Sequence, residues 1–326
     1  MTYGDNPYYH HDYPTRPADS QYEYEFNGWS PELTVVTSDA TYVATYSSEK
    51  LGMKYSFSDV SYTVTGYVGD LVNLVVPDTY DDGTNGVGNV VAIKDHAFWM
   101  NDTLKTVTLG KNVTSIGNET FRACTSLETV SLNEGLTIID DSGFNGCTSL
   151  KSITLPTSLT TLGSSSFYKC TSLTSMNIPK NVTSIHVAAF GYCNAINGIT
   201  VDSDNTKYSS SDGILLSKNQ TSLIWFPGIK TGSFKIPSSI NYISVGAFFG
   251  CSLSSIIIPT TTWSMPPSAF QDCHNLNIFL EYESIPSGFN KEWNTDGGTA
   301  YWYSETSNTD GSHWHYVNEI PTIWTA

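Results

Sequence analysis

The sequence predicts a solenoid built on a parallel β-sheet, with one strand and one short helical turn per repeat, a small β module before it and a β cap after it. Three observations predict it. From Leu104 to Ala195 the chain reads as four copies of one 23-residue unit, from LKTVTLGKNVTSIGNETFRACTS to LTSMNIPKNVTSIHVAAFGYCNA. The same columns stay apolar in every copy, among them Leu104/Leu127/Leu150/Leu173, Val107/Val130/Ile153/Met176, Ile116/Ile139/Leu162/Ile185 and Phe121/Phe144/Phe167/Phe190. Outside the units, short alternating stretches punctuated by Gly, Pro, Asp and Asn read as strands and turns.

Residues 1–48 form the first unit. A Tyr/Pro-rich opening, YGDNPYYHHDYPTRPA, is followed by YEYEFNGWSP and LTVVTSDATYVATYSS, which alternate with period 2 and read as three or four short strands. From Glu49 to Thr103 the chain enters the repeats. KYSFSDVSYTVTGY reads as a hairpin turning near Ser58-Asp59, and LVNLVVPDTY begins an irregular first repeat that VAIKDHAFWMNDT closes. The DDGTNGVGN stretch at 81–89 lacks the spacing and terminal Glu of a calcium loop and reads as an ordinary turn.

In each regular unit a segment such as Val107-Thr108-Leu109 should be a strand stacked in parallel on its neighbours. A second extended piece, Thr114-Ser115-Ile116, leads to a helical turn ending in Phe-x-x-Cys, where Phe121 and Cys124 face one side. One unit cannot fold alone, because seven buried side chains do not offset the ordering of its backbone, so neighbours must share their apolar columns. The pattern breaks at 201–232, where DGILLSKNQTSLIWF reads as a hairpin with Lys218-Asn219 at its tip. It returns at SFKIPSSINYISVGAFFGCS and LSSIIIPTTTWSMPPSAFQDCHN, and fades through Leu276–Phe289. Residues 290–326 read as a β-hairpin cap, with AYWYSE and HWHYVNEIPTIW pairing around Asn308–Ser312.

Composition excludes several functions. The chain has 326 residues and a net charge of -16, with nine acids against three bases in residues 1–60 and seven against one in 281–326. Neither nucleic acid nor an anionic membrane suits such a surface. Charged residues make up only 14% of the chain, so Ser, Thr, Asn and Gly cover it, as in extracellular bacterial β-rich proteins. The opening lacks a positive n-region and an apolar h-region. The chain is therefore expected to be a piece of a longer surface protein whose signal and anchor lie elsewhere.

Six cysteines, Cys124, Cys147, Cys170, Cys193, Cys251 and Cys273, occupy one register and should form an inward structural column of free thiols. Their parallel Cα–Cβ vectors suit disulfides poorly. His10-His11-Asp12 and His313-Trp314-His315 are metal-capable, but no further ligand sits at metal-site spacing, so no metal and no cofactor is expected. No nucleophile–base pair emerges, and an enzyme is not expected.

Two resemblances add to this reading. YGDNPYY, PTRPAD, EFNGWSPEL and VTSDATYVATY, with Tyr3, Gly4, Pro7, Pro14, Pro17, Gly28, Trp29, Thr41, Tyr42 and Tyr46, resemble a truncated Listeria–Bacteroides repeat, a β-grasp-like module of bacterial surface proteins. The unit L-x-x-I-x-L-P-x-x-L-T-x-I-x-x-x-x-F-x-x-C resembles the BspA-type, or Treponema pallidum-type, leucine-rich repeat, as do the interrupted segment VDSDNTKYSSSDGILLSKNQTSLIWFPGIK and the closing YWYSETSNTDGSHWHYVNEIPTIW. The resemblance covers residues 50–326 and implies a right-handed, curved leucine-rich repeat solenoid over 49–289. It also implies a cell-surface protein for adhesion or host-protein binding, and the chain is expected to be a monomer. The chain departs from the general leucine-rich pattern in placing Cys just before the next strand.

On a curved solenoid the concave sheet is the expected binding face. Its outward positions are Thr106, Thr129, Ser152 and Ser175 in one column and Thr108, Ser131, Thr154, Asn177 and Thr200 in the next. No aromatic or Arg anchor stands among them. The 201–232 excursion, with Tyr208, Trp225 and Phe226, is expected to be an exposed alternative. The partner is expected to be a host or bacterial surface protein or a glycan. Two rival readings are a structural spacer displaying another domain and a carbohydrate- or mucin-binding module.

Overall fold

The computed structural model describes residues 14–17, 22–30, 32, 41, 43–50 and 52–325. Of the first unit it describes one antiparallel pair, Tyr22–Ser30 with Val43–Lys50, whose register shifts at Phe26/Gly28. His10, His11 and Asp12 lie outside the described residues.

The 23-residue period becomes a parallel register without slip. Thr106–Thr108 aligns on Thr129–Ser131, which aligns on Ser152–Ile153, so Val107, Val130 and Ile153 fall in line. Asn73–Val75 of the irregular first repeat joins the same four-stranded sheet. The hairpin Gly52–Ser58/Ser61–Val68 turns at Asp59-Val60 and starts a second, longer sheet. That sheet continues through Val87–Ile93, Ser115–Ile116, Ile138–Ile139, Thr161–Leu162 and Ser184–Ile185. Each regular coil thus supplies two short strands and not the one strand expected; the first three feed both ladders, while Met176–Ile178 of the fourth pairs with Ile199–Val201. The short second piece has a backbone ladder of its own because its neighbours sit 23 residues away at the same height.

The expected helical turn is absent, and among the described residues there is no helix. From Gly117 to Cys124 alternate N–H groups bond locally and across coils. Thr120 donates to Gly117, Arg122 to Glu119 and Cys124 to Phe121, each three residues back, whereas Glu119, Phe121 and Ala123 donate to Asp141, Gly143 and Asn145 of the next coil. Glu119 and Ala123 have positive φ (52° and 59°), which turns every second amide outward. Three-residue spacing of Phe and Cys fits such β-turns as well as a helix. So short a segment cannot carry the cost of helix nucleation, and a neighbouring coil offers acceptors instead.

Inside the coils the apolar columns form a continuous core. Phe98, Phe121, Phe144, Phe167 and Phe190 stack at centroid distances of 5.3 to 5.8 Å, their planes within 12° of parallel. This core ends at Ile199, Leu215 and Trp225, and a second one begins with Ile214, Leu216, Leu223 and Phe226 and runs to Trp293. The excursion is the wall between them. It is a three-stranded meander, Tyr208–Ser211, Ile214–Ser217 and Ser222–Trp225, whose last strand pairs in parallel with Tyr242–Ile243 of the next coil.

Trp225 (4% exposed) and Phe226 (1%) are therefore buried and Tyr208 is half-buried, contrary to the exposed surface expected. The unbroken runs ILL and LIWF carry apolar groups on both faces because each face seals a different core.

The C-terminal segment also differs from a simple hairpin. Thr299–Tyr303 pairs in parallel with Asn277–Leu280, and His313–Val317 pairs in parallel with Thr299–Tyr303 through Trp302 and Tyr303. The solenoid path thus continues past residue 290. The hairpin forms one strand later, between His313–Val317 and Ile320–Ile323. Trp302 partly packs into the second core, so a further coil is needed to cover its strand. No helix of the described residues is long and apolar enough to cross a membrane.

Candidate binding surface

The column positions lie on or beside the short strands. Thr129, Ser152, Ser175, Thr108, Ser131, Thr154, Asn177 and Thr200 are exposed and Thr106 is half-exposed. Hydroxyls lace neighbouring coils, Thr106 Oγ1 donating to Asn73 Oδ1 (2.7 Å) and Thr200 Oγ1 to Asn177 Oδ1 (3.0 Å). These two columns are open, polar and uncharged.

Beyond the interruption the same register changes character. Lys235, Ile257, Phe279 and Tyr301 align across the C-terminal sheet, and the repeat pattern places Ile257 where Thr154 stands in its unit. The hairpin brings Trp314 onto this column. Its ring centroid lies 5.3 Å from that of Phe279, and its Nε1–H donates to the Leu280 carbonyl (3.0 Å). Tyr316 donates to Glu281 Oε1 (2.6 Å), which also takes the Lys235 ammonium (2.9 Å). The hydrogen bond to Glu281 raises the Lys235 pKa, and burial raises that of Tyr316. An aromatic and charged cluster therefore stands at one end of the polar face. Reading the columns only as far as Thr200 missed it. The signal was in LSSIIIP and LNIFLE, which are apolar at outward as well as inward positions.

All six cysteines are free and buried. Each regular thiol donates to the carbonyl of the Phe one coil back: Cys124 to Phe98, Cys147 to Phe121, Cys170 to Phe144 (each 3.2 Å) and Cys193 to Phe167 (2.9 Å). Burial pushes the Cys124 thiol up to about 12 and Cys147 and Cys170 well above their usual range. Such thiols are inert packing groups. Cys251 and Cys273 differ, with their sulfurs 3.2 Å apart.

No group of three or more His, Cys, Asp or Glu among the described residues could hold a metal ion. His313 Nδ1 meets Asp310 (2.9 Å) while His315 stacks on Trp324 at 3.6 Å, so the two histidines do not converge. Ser312 approaches the same Nδ1 that binds Asp310, which leaves no relay of the Ser-His-Asp kind. At 81–89 Asp82 accepts from the N–H groups of Thr84 and Asn85 and from the Asn85 side chain, and these bonds hold its carboxyl down at about 2. Asp82 is thus occupied within its own turn.

A model of the BspA type leucine rich repeat region matches residues 91–211 and 225–289 in six copies. Comparison with curated proteins finds no match. Among solved structures, the pneumococcal vaccine antigen PcpA is similar at 21% identity over 73% of this chain and 70% of its own, with a TM-score of 0.57. A leucine-rich repeat protein from Bacteroides ovatus is similar at 21% identity over 81% and 74%, with a TM-score of 0.56. A leucine rich cell surface protein from Faecalibacterium prausnitzii is similar at 21% identity over 90% and 89%, with a TM-score of 0.52. The fold is common to all three. With the period, the two parallel ladders and more than half of the sequence matched by one repeat model, the chain belongs to the BspA type leucine rich repeat family.

Proposed function

We propose that this chain is a non-enzymatic bacterial cell-surface protein that serves adhesion by binding a host or bacterial surface protein, or its glycans, through the strand-bearing face of the solenoid. The observation that carries the reading is the open run of uncharged columns from Thr106 to Thr200, in parallel register over Thr106–Ile153 and again over Met176–Val201, with the Lys235–Glu281–Tyr316 cluster beyond the interruption. Such a face offers a partner a rigid, regularly spaced set of hydroxyl donors and acceptors. Surface display is supported by the descriptions of two similar proteins, one a cell surface protein and one a vaccine antigen. A spacer role is the rival, because rows of Thr and Ser also suit a strand that only meets water.

The test uses the whole chain against immobilised host matrix proteins and mucin. Ser131→Arg with Thr154→Arg should weaken any binding at least about tenfold, with the unfolding midpoint unchanged. Binding that survives the double variant sinks the strand-face reading. Absence of binding across the panel, with display preserved when an inert solenoid replaces the chain, establishes the spacer.

A further inference from the structure

In the four coils before the interruption, alternate main-chain N–H groups of the turn segment donate to carbonyls of the next coil. The series runs from His96, Phe98 and Met100 to Ser165, Phe167 and Lys169, with donor–acceptor distances of 2.7 to 3.0 Å. The next members are Ala188, Phe190 and Tyr192, and among the described residues their N–H groups have no acceptor. The cause is a shortened coil. Leu223 pairs with Ile243 as Leu162 pairs with Ile185, but Phe226 follows Leu223 by three residues where Phe190 follows Ile185 by five. Trp225, the residue before that Phe, pairs instead with Leu215 of the meander.

The following coil closes over the gap only at points. Gly246, with φ +78°, lets its backbone approach Ala188, since a Cβ there would lie 2.8 Å from that of Ala188. Tyr192 Oη donates to Asp272 of a later coil and straps the two sides together. Against Ala188 and Phe190 lies a cavity of about 320 Å³, walled also by Ile185, His186, Ile224, Trp225 and Val245. That volume is at the lower end of what ligand sites occupy. The Trp225 indole N–H is already committed to the Phe190 carbonyl (3.0 Å), so the indole is a fixed wall.

We propose that this gap takes an extended, uncharged polypeptide segment of a partner protein, whose main-chain carbonyls complete the broken ladder at Ala188, Phe190 and Tyr192. The proposal deepens the protein-binding reading above and rests on it. Carbonyls of alternate residues are what these donors meet in every preceding coil, and an extended chain presents carbonyls at alternate positions along one edge. His186 is the one titratable side chain lining the cavity apart from the Tyr242 phenol, which disfavours a charged segment.

The experiment is residue-resolved amide hydrogen exchange on the whole chain, free and with a linear heptapeptide selected from a random displayed library. Free, the amides of Ala188, Phe190 and Tyr192 should exchange faster than those of Ser165, Phe167 and Lys169. Peptide at about 100 times its Kd should slow the three by about a hundredfold, and Val245→Trp, which fills the cavity, should weaken the peptide at least about tenfold. Protection in the free chain equal to that of Ser165, Phe167 and Lys169, no selected peptide, or peptides that leave the three amides unprotected would each overturn the proposal. Host-protein binding that is lost in the strand-face double variant while these amides stay unprotected removes the gap and keeps the protein-binding reading.

Discussion

At the scale of the residue, the cysteine column shows why one small side chain recurs. Its inward register was legible from spacing alone, because Cys124, Cys147, Cys170 and Cys193 fall one unit apart. Its acceptor was not, since the Phe98 carbonyl that takes the Cys124 thiol lies 26 residues away on another coil. A thiol is small enough for the core and long enough to give a second hydrogen bond to a carbonyl that already accepts an N–H of its own turn. Burial raises the thiol pKa, so folded thiols keep their protons where the unfolded chain begins to ionise, near pH 8.5. The unfolded state then binds fewer protons, and stability should fall as pH rises above about 8.5. Urea midpoints measured from neutral pH to about pH 10 check this. Replacing Cys147 and Cys170 by Ala should flatten the alkaline slope, and an unchanged slope would mean these thiols do not carry it.

At the scale of the element, the Phe stack is what the 23-residue period produces once coils are superposed. Phe144 is fully buried, with Phe121 at 5.3 Å and Phe167 at 5.5 Å. Phe144→Ala should cost about 3–5 kcal/mol, since neighbouring coils held by two backbone ladders cannot collapse into the space. Chemical denaturation reads this directly, and a loss below about 1 kcal/mol would show that the coils can re-space. The turn that carries this Phe was misjudged from sequence for a definite reason. Spacing by three is common to a helix and to a β-turn chain, and the acceptors that decide between them sit on the next coil.

For the whole molecule, the decisive feature is the wall between two cores. Trp225 faces the first core and Phe226 the second, so the meander couples halves that would otherwise unfold separately. Trp225→Ala should destabilise the chain by about 3–5 kcal/mol and divide a single transition into two. Tryptophan fluorescence and far-UV circular dichroism should then no longer coincide. Coincident curves with unchanged steepness would show that the coupling runs elsewhere.

The sequence by itself determined the solenoid, its period, the inward columns and the exposed polar rows, because each follows from contacts between residues one unit apart. The tertiary structure alone decided which face the excursion shows, how the end is closed and where the ladder is broken. Leu215 and Trp225 are buried by residues dozens of positions earlier, and Phe279 is covered by Trp314 from a later strand. A run such as LIWF reads alike whether water or a second core lies beyond it, and that difference is a matter of what the other coils leave uncovered.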